Sequence, residues 1–166
     1  VVMDAITEDN FKIETLSLVD NLDKIISIWK QLLKDKNINV SLLPEGMEAN
    51  TIFVKIAIVD LYVIINNFIL NSVWFLEKGN QNSREIVFSL SENEDSIELR
   101  MENNGPILDE KFRDQPMLMF EIGESSKPGG TGLGLWLMKD AVERNDGQIA
   151  PLDKEEGFGI EIKWSK

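Results

Sequence analysis

The chain has 166 residues, 43% of them apolar and 28% charged, which suits one compact domain with its own core. It contains no cysteine and no histidine, which excludes disulfides, thiol chemistry, serine–histidine–aspartate triads and imidazole ligation of metals. A formal charge of −12 argues against a broad nucleic-acid-binding surface, which needs a basic footprint.

Residues 1–10, VVMDAITEDN, lack the basic start and apolar core of a signal peptide and read as a leader or linker remnant of a longer protein, with the domain over 11–166. Residues 11–18 (FKIETLSL) predict a first strand. Asp20 is the expected cap of a helix over 21–36, where Leu22, Ile25, Ile26, Trp29, Leu32 and Leu33 form an apolar stripe. A second strand is expected over 39–43 and a turn over 44–49. A stretch without a clear assignment leads to a helix opening at Asp60. Residues 56–76 are apolar enough to raise the question of a membrane span. Asp60, Asn66, Asn67 and Asn71 interrupt them, and one central Asp costs roughly 2.5–3.5 kcal/mol on insertion, so a buried helix is the better reading.

On that helix Asn67 and Asn71 are four residues apart and share a face with Asp60 and Ile64. Two amides on an apolar helix need partners if buried; they serve either a ligand or each other's core surroundings. Strands over 86–90 and 96–101 alternate as a hairpin around 92–95, and ENNGPILDE (102–110) follows as strand, Gly-Pro turn and short helix. Residues 111–131 predict a loop-rich lid, with SSKPGGTGLGLWL from Ser125 to Leu137 leading into a helix over 133–145 that Gly147 stops. Strands over 149–152 and 159–164 close the sheet. The pattern predicts an α/β fold, a two-layer sandwich with helices on one face of a mixed sheet.

The glycine run feeds a helix start, where unpaired N–H groups and a partial positive charge favour anions. No Lys-Ser/Thr pair follows its last glycine, and its GxGxG spacing follows polar residues rather than a strand, so it is neither a Walker loop nor a dinucleotide fingerprint. The alternative is a flexible loop ahead of a core helix.

Four motifs in order resemble the GHKL superfamily of gyrase-type topoisomerases, ninety-kilodalton heat-shock chaperones, histidine kinases and mismatch-repair ATPases. They are Asn67-Phe-Ile-Leu-Asn71, Asn103-Asn-Gly105-Pro-Ile107, Ser125-Ser126-Lys127 and Gly130-Thr131-Gly132-Leu133-Gly134. The resemblance covers about residues 11–164 and is greatest to the ATP-binding catalytic domain of sensor histidine kinases, whose architecture is the Bergerat fold. It implies ATP and Mg2+ as cofactors. Asn71 matches the magnesium-binding asparagine, a hard oxygen ligand. Asn67 stands where hydrolysing members carry glutamate, and an amide cannot act as a general base, which suggests transfer to an acceptor other than water. Asn103 stands where the family has the aspartate that accepts from the adenine amino group, above Gly105. Phe120 would anchor the lid. Ser126, Lys127 and the backbone from Gly130 through Thr131, Gly132, Leu133 and Gly134 to Leu135 would hold the phosphates, with Asn67 and Lys127 as the catalytic candidates.

Three residues depart from the pattern: Ile107 replaces the second glycine and narrows the pocket floor, Ile160 replaces an adenine-supporting threonine, and Trp74 replaces a phosphate-touching lysine. The resemblance implies γ-phosphoryl transfer to a histidine on a separate helical domain, in cis or in trans, with a response regulator downstream. It implies a cytoplasmic location, with a place in a membrane-anchored longer protein left open, and no nucleic acid or direct membrane contact by this domain. The alternatives are an ATPase or serine-directed kinase of the same superfamily, or a degenerate nucleotide-binding interaction module without turnover.

Overall fold

The computed structural model describes residues 8–44, 52–107, 109–121, 123 and 132–166. In chain order these form a 3-10 turn (Glu8–Phe11), β1 (Ile13–Ser17), α1 (Leu18–Asp35), β2 (Ile38–Pro44), β3 (Phe53–Ala57), α2 (Ile58–Lys78), β4 (Arg84–Glu92) and β5 (Ser96–Asn103). Then come α3 (Glu110–Arg113), a second 3-10 turn (Pro116–Phe120), α4 (Gly134–Arg144), β6 (Gly147–Pro151) and β7 (Phe158–Ser165). Five strands make one sheet in the order β2-β4-β5-β7-β6, parallel between β2 and β4 and antiparallel elsewhere.

Strand alternation decides which side of the sheet the helices cover. Ile86, Phe88 and Leu90 of β4, Leu99 and Met101 of β5, and Ile160 and Ile162 of β7 are fully buried under α1, α2 and α4. On the other side the cross-strand neighbours are charged, with Lys163 Nζ 3.2 Å from Glu98 Oε1 and Arg100 Nε 3.3 Å from Glu161 Oε2. Such solvent-facing pairs contribute at most about 1 kcal/mol each, so they keep that face wet rather than hold the fold. The expected two-layer sandwich, a mixed sheet with helices on one face, is therefore present.

Helix α2 is the spine of the buried layer. It is long and apolar enough to cross a membrane by length and composition. Here it buries Leu61, Ile64, Ile65, Phe68, Ile69 and Leu76 in the core. Phe68 meets Phe88 edge-on at 5.9 Å and stacks on Phe158 at 6.3 Å, which locks α2 over β4 and β7. Trp29 Nε1 donates to Asn66 Oδ1 at 2.8 Å and ties α1 to α2.

Several sequence expectations change in detail. Helix α1 starts at Leu18, and its cap is Ser17 rather than Asp20: the Ser17 hydroxyl accepts from the Asp20 N–H at 3.4 Å. Asp20 lies in the first turn, where its charge suits the positive helix end. The unassigned stretch contains β3, which pairs antiparallel with β1 in a separate two-stranded ribbon. Helix α4 ends at Arg144 with Asn145 as its cap, and the left-handed residue that follows is Asp146 (φ 57°), not Gly147. Gly147 opens β6 instead. A Cβ there would lie 2.8 Å from both Trp164 Nε1 and Val142 Cγ1, so glycine is required by close packing. The expected hairpin is closed by Asn93 Oδ1, which accepts from the N–H groups of Asp95 and Ser96 at 2.9 and 2.8 Å. The turn expected over 44–49 falls beyond Pro44 outside the described residues.

Candidate functional site

The two asparagine signals converge on α2. Asn67 and Asn71 sit half-buried, one turn apart, beside the first turn of α4. Asn67 Nδ2 donates to the Val63 carbonyl one turn back at 2.7 Å. This orients Asn67 Oδ1 toward Gly134, where an added Cβ would lie 3.0 Å from it and 3.9 Å from Asn71 Nδ2. Glycine at the head of α4 thus lets its backbone come close to the asparagine ledge. Gly132, just before, has φ 67°, a left-handed conformation that glycine adopts at no steric cost. Leu133 occupies the cap position of α4, where its own apolar side chain makes no capping bond, and regular helical bonding begins with Leu137 N–H to the Leu133 carbonyl at 2.8 Å. Leu133 is exposed, and Leu135 is partly buried against the core. Ser126, Lys127, Gly130 and Thr131 lie outside the described residues.

One residue further along α2, the opposite side of the site begins. Ser72, fully buried, accepts from Asn103 Nδ2 at 2.9 Å, and Asn103 Oδ1 accepts from the Gly105 N–H at 3.0 Å. Asn103 closes β5 and is 2% exposed. Gly105 fits because a Cβ would sit 3.1 Å from Asn103 Oδ1 and 3.5 Å from the Phe75 backbone. Gly157 is a second close approach. It has φ +75°, and a Cβ there would fall 2.2 Å from the Asn103 carbonyl oxygen, inside contact distance. Neither Ser72 nor Gly157 is among the site residues expected from the sequence. A glycine two residues before an alternating strand was the available signal for Gly157; Ser72 had none.

The departing residues have clear places. Ile160 is fully buried opposite Met101 on the helix-covered side. Trp74 is half-buried, edge-on to Phe75 at 4.9 Å, with Lys78 Nζ 5.8 Å from its ring. Ile107 is about half exposed, and Phe120 is buried at the end of its 3-10 turn, packed alongside α4.

Further down α2 toward its start, a separate polar group is enclosed. Asp60 accepts from Asn145 Nδ2 at 2.8 Å and from an Arg144 guanidinium nitrogen at 2.5 Å, and Asn145 Oδ1 accepts from the Ala57 N–H at 2.9 Å. The bond to Asp60 raises the pKa of the Arg144 guanidinium above its ordinary value. This group joins the far end of α4 to the start of α2. Among the described residues no three His, Cys, Asp or Glu side chains cluster as a metal-binding group.

The profile of the histidine kinase-, DNA gyrase B- and HSP90-like ATPase family matches residues 57–165, and the chain belongs to that family. The match begins at the end of β3 and takes in both asparagine sites and α4. A probable C4-dicarboxylate sensor kinase of Halalkalibacterium halodurans is 33% identical over 91 residues, covering 54% of this chain and 16% of that protein. The serine-protein kinase RsbW of Listeria innocua is 31% identical over 99 residues, covering 59% of this chain and 62% of that protein. The chain therefore spans less than two thirds of either relative. The catalytic domain of histidine kinase ThkA superposes with a TM-score of 0.76 at 16% identity, covering 93% of this chain and 96% of that domain. At that identity the likeness establishes the shared architecture, which is the Bergerat fold.

Proposed function

We propose that this chain is the ATP-binding catalytic domain of a sensor histidine kinase, and that it transfers the γ-phosphoryl group to a histidine on a separate helical domain. The observation that carries the reading is the juxtaposition around α2: Asn67 and Asn71 against the glycine start of α4 on one side, and Ser72 with Asn103 on the other. The residues fit a nucleotide. Helix α4 opens on Gly134, at a spot that a single Cβ would fill, and a helix start so open to close approach suits phosphate oxygens. Asn103 offers a buried amide for the base. Asn71 would supply the protein oxygen to a magnesium ion, which when bound neutralises phosphate charge. Lys127 and Ser126 are proposed as further phosphate contacts.

Asn67 favours transfer over hydrolysis. Its amide has no basic group to deprotonate water, and its Nδ2 is engaged by the Val63 carbonyl. Phosphoryl transfer depends on positioning and charge neutralisation, so a site built of amides and helix N–H groups is sufficient. The acceptor has to reach the γ-phosphate within about 3–3.5 Å of the reacting atom. The end of the asparagine helix beside α4 is the proposed docking edge. Because this chain has no histidine, the acceptor lies on another domain or subunit.

The deciding experiment incubates the full-length gene product with γ-labelled ATP and magnesium. Acid-labile, alkali-stable label is expected. Acid-stable label would instead support a serine-directed kinase, the second reading, which the similarity to RsbW favours. Tight ATP binding without label or turnover would support a nucleotide-binding module.

A further inference from the structure

The face of α2 that carries the asparagines does not stop at Asn71. At about 100° per residue, Trp74 and Lys78 fall with Asn67 and Asn71 inside one arc of about 60°. The last turn of α2 also lies against the turn that follows Asn103. A Cβ on Gly105 would sit 3.5 Å from the Phe75 backbone, and one on Gly79 would sit 3.0 Å from Pro106 Cδ. A ligand that reaches from the head of α4 to Asn103 therefore passes beside Trp74 and Lys78.

A helical side chain leans toward the N-terminus of its helix, so Lys78 reaches back toward Asn71 rather than away from it. Its Nζ lies 5.8 Å from the centroid of the Trp74 ring, within the range of a cation–π contact. This holds the ammonium over the turn of Trp74, roughly one helical turn beyond Asn71. Trp74 is in turn braced edge-on by Phe75 at 4.9 Å. Among the described residues no carboxylate pairs with Lys78, because the adjacent Glu77 is bonded to Lys36 instead. An exposed ammonium thus stands at the edge of the site with its charge uncompensated.

The charge is needed there. Asn67, Asn71, Asn103 and Gly105 are neutral, and the chain as a whole carries −12. A nucleoside triphosphate stays negative even with magnesium bound, so the field of the whole protein opposes its entry. A cation close to the phosphates offsets that field, because attraction at contact is screened far less than repulsion from distant charges.

We propose that Lys78 is a phosphate-binding residue of this site, and that Trp74 is the platform that holds its ammonium toward the phosphate chain. The inference rests on the reading of this chain as a nucleotide-binding domain. A lysine in the last turn of α2 also suits the negative end of the helix. That role alters stability and does not distinguish one ligand from another.

The test compares calorimetric affinities for magnesium–ATP and for adenosine, which has the base and sugar but no phosphate, on the 166-residue chain and its variants. Their ratio compares two ligands on the same folded protein, so a general loss of stability does not move it. Lys78→Gln is expected to lower the ratio of ATP to adenosine affinity by roughly three- to tenfold, the span of one charge-assisted contact at a solvent-exposed edge. Lys78→Arg keeps the charge and the ring contact and should stay within about twofold of the parent. Trp74→Leu removes the platform and is expected to lower the ratio by roughly two- to fivefold. Lys163→Gln removes the same charge from the open side of the sheet and should change the ratio by less than about twofold. Equal losses for Lys78→Gln and Lys163→Gln would mean that the site feels only net charge, and would overturn the contact. A ratio unmoved by Lys78→Gln, with ATP still bound, would overturn the role of Lys78 and leave the nucleotide site standing. Failure of the unsubstituted chain to bind either ligand would remove the site itself, and the proposal with it.

Discussion

Helix α2 carries two polar groups that both face α4, and they are built in opposite ways. Near its start, Asp60 is surrounded by donors: Asn145 and Arg144 bind its carboxylate, while Asn145 also donates to the Ala141 carbonyl at 2.7 Å and accepts from Ala57. Every bond is internal, and the group fastens the last turn of α4 to the first turn of α2. Two turns on, Asn67 and Asn71 face the first turn of α4 across a glycine. There Asn67 is oriented by its own helix, and the facing α4 start opens on Leu133 and Gly134, whose side chains offer no capping oxygen. Polar residues on a buried helix thus serve two ends. The first group secures the packing of α4, and the second uses that packing to place an anion-favouring helix start over two amides.

The largest effect should come from breaking the enclosed group. Asn145→Ala leaves the Ala57 N–H buried without its acceptor and takes one donor from Asp60. A loss of about 2–4 kcal/mol in denaturant-measured stability is expected, with the nucleotide affinity of the folded protein nearly unchanged. Arg144 is half exposed, so Arg144→Ala should cost less than Asn145→Ala. A larger loss for Arg144 would mean that charge, not buried hydrogen bonding, holds the two helices together.

The open group should respond in the reverse sense. Asn71→Ala is expected to change stability by less than about 1 kcal/mol and to weaken ATP binding in magnesium at least tenfold, or about 1.4 kcal/mol. Equal affinity of the variant and the parent would dissolve the contrast between the groups. Gly134→Ala probes the approach itself. Its new Cβ would press on Asn67 Oδ1 at 3.0 Å, and a two- to fivefold loss of nucleotide affinity is expected, about 0.5–1 kcal/mol, with the protein folded.

The smallest effect concerns a third kind of polar contact on the same helix. Glu77, on the solvent side of α2, has its pKa lowered from 4.5, first by the hydrogen bond from Lys36. A lowered folded-state pKa means that the stabilisation is complete above 4.5 and fades as pH falls through the folded value. Both side chains are 38% exposed, so solvent and salt screen the pair. Thermal melts of Glu77→Gln should lie slightly below the parent at neutral pH and low salt and converge with it in acid. A gap that widened in acid would show that the sign is wrong.

Much of this was legible from local pattern. The stripe from Leu22 to Leu33, the alternation over 86–101 and the glycine-led helix at Gly134 are set by backbone periods of 3.6 and 2, which act within a few residues of chain. The spacing of Asn67 and Asn71 placed them on one helix face for the same reason, and the motif order led to the family.

Tertiary structure alone decided the rest. Phe53–Ala57 becomes a strand because β1 is there to pair with it, in a ribbon apart from the main sheet. Asn145 fills its role because the fold brings it to Asp60, 85 residues away, and Ser72 gains one because β5 ends beside α2, so that Asn103, 31 residues on, reaches its hydroxyl. Gly147 is a glycine for the sake of Trp164, and Gly157 for the backbone of Asn103. Local sequence sets which helices and strands can form. Which buried polar atom meets which partner depends on contacts between distant segments, and those exist only once the core has closed.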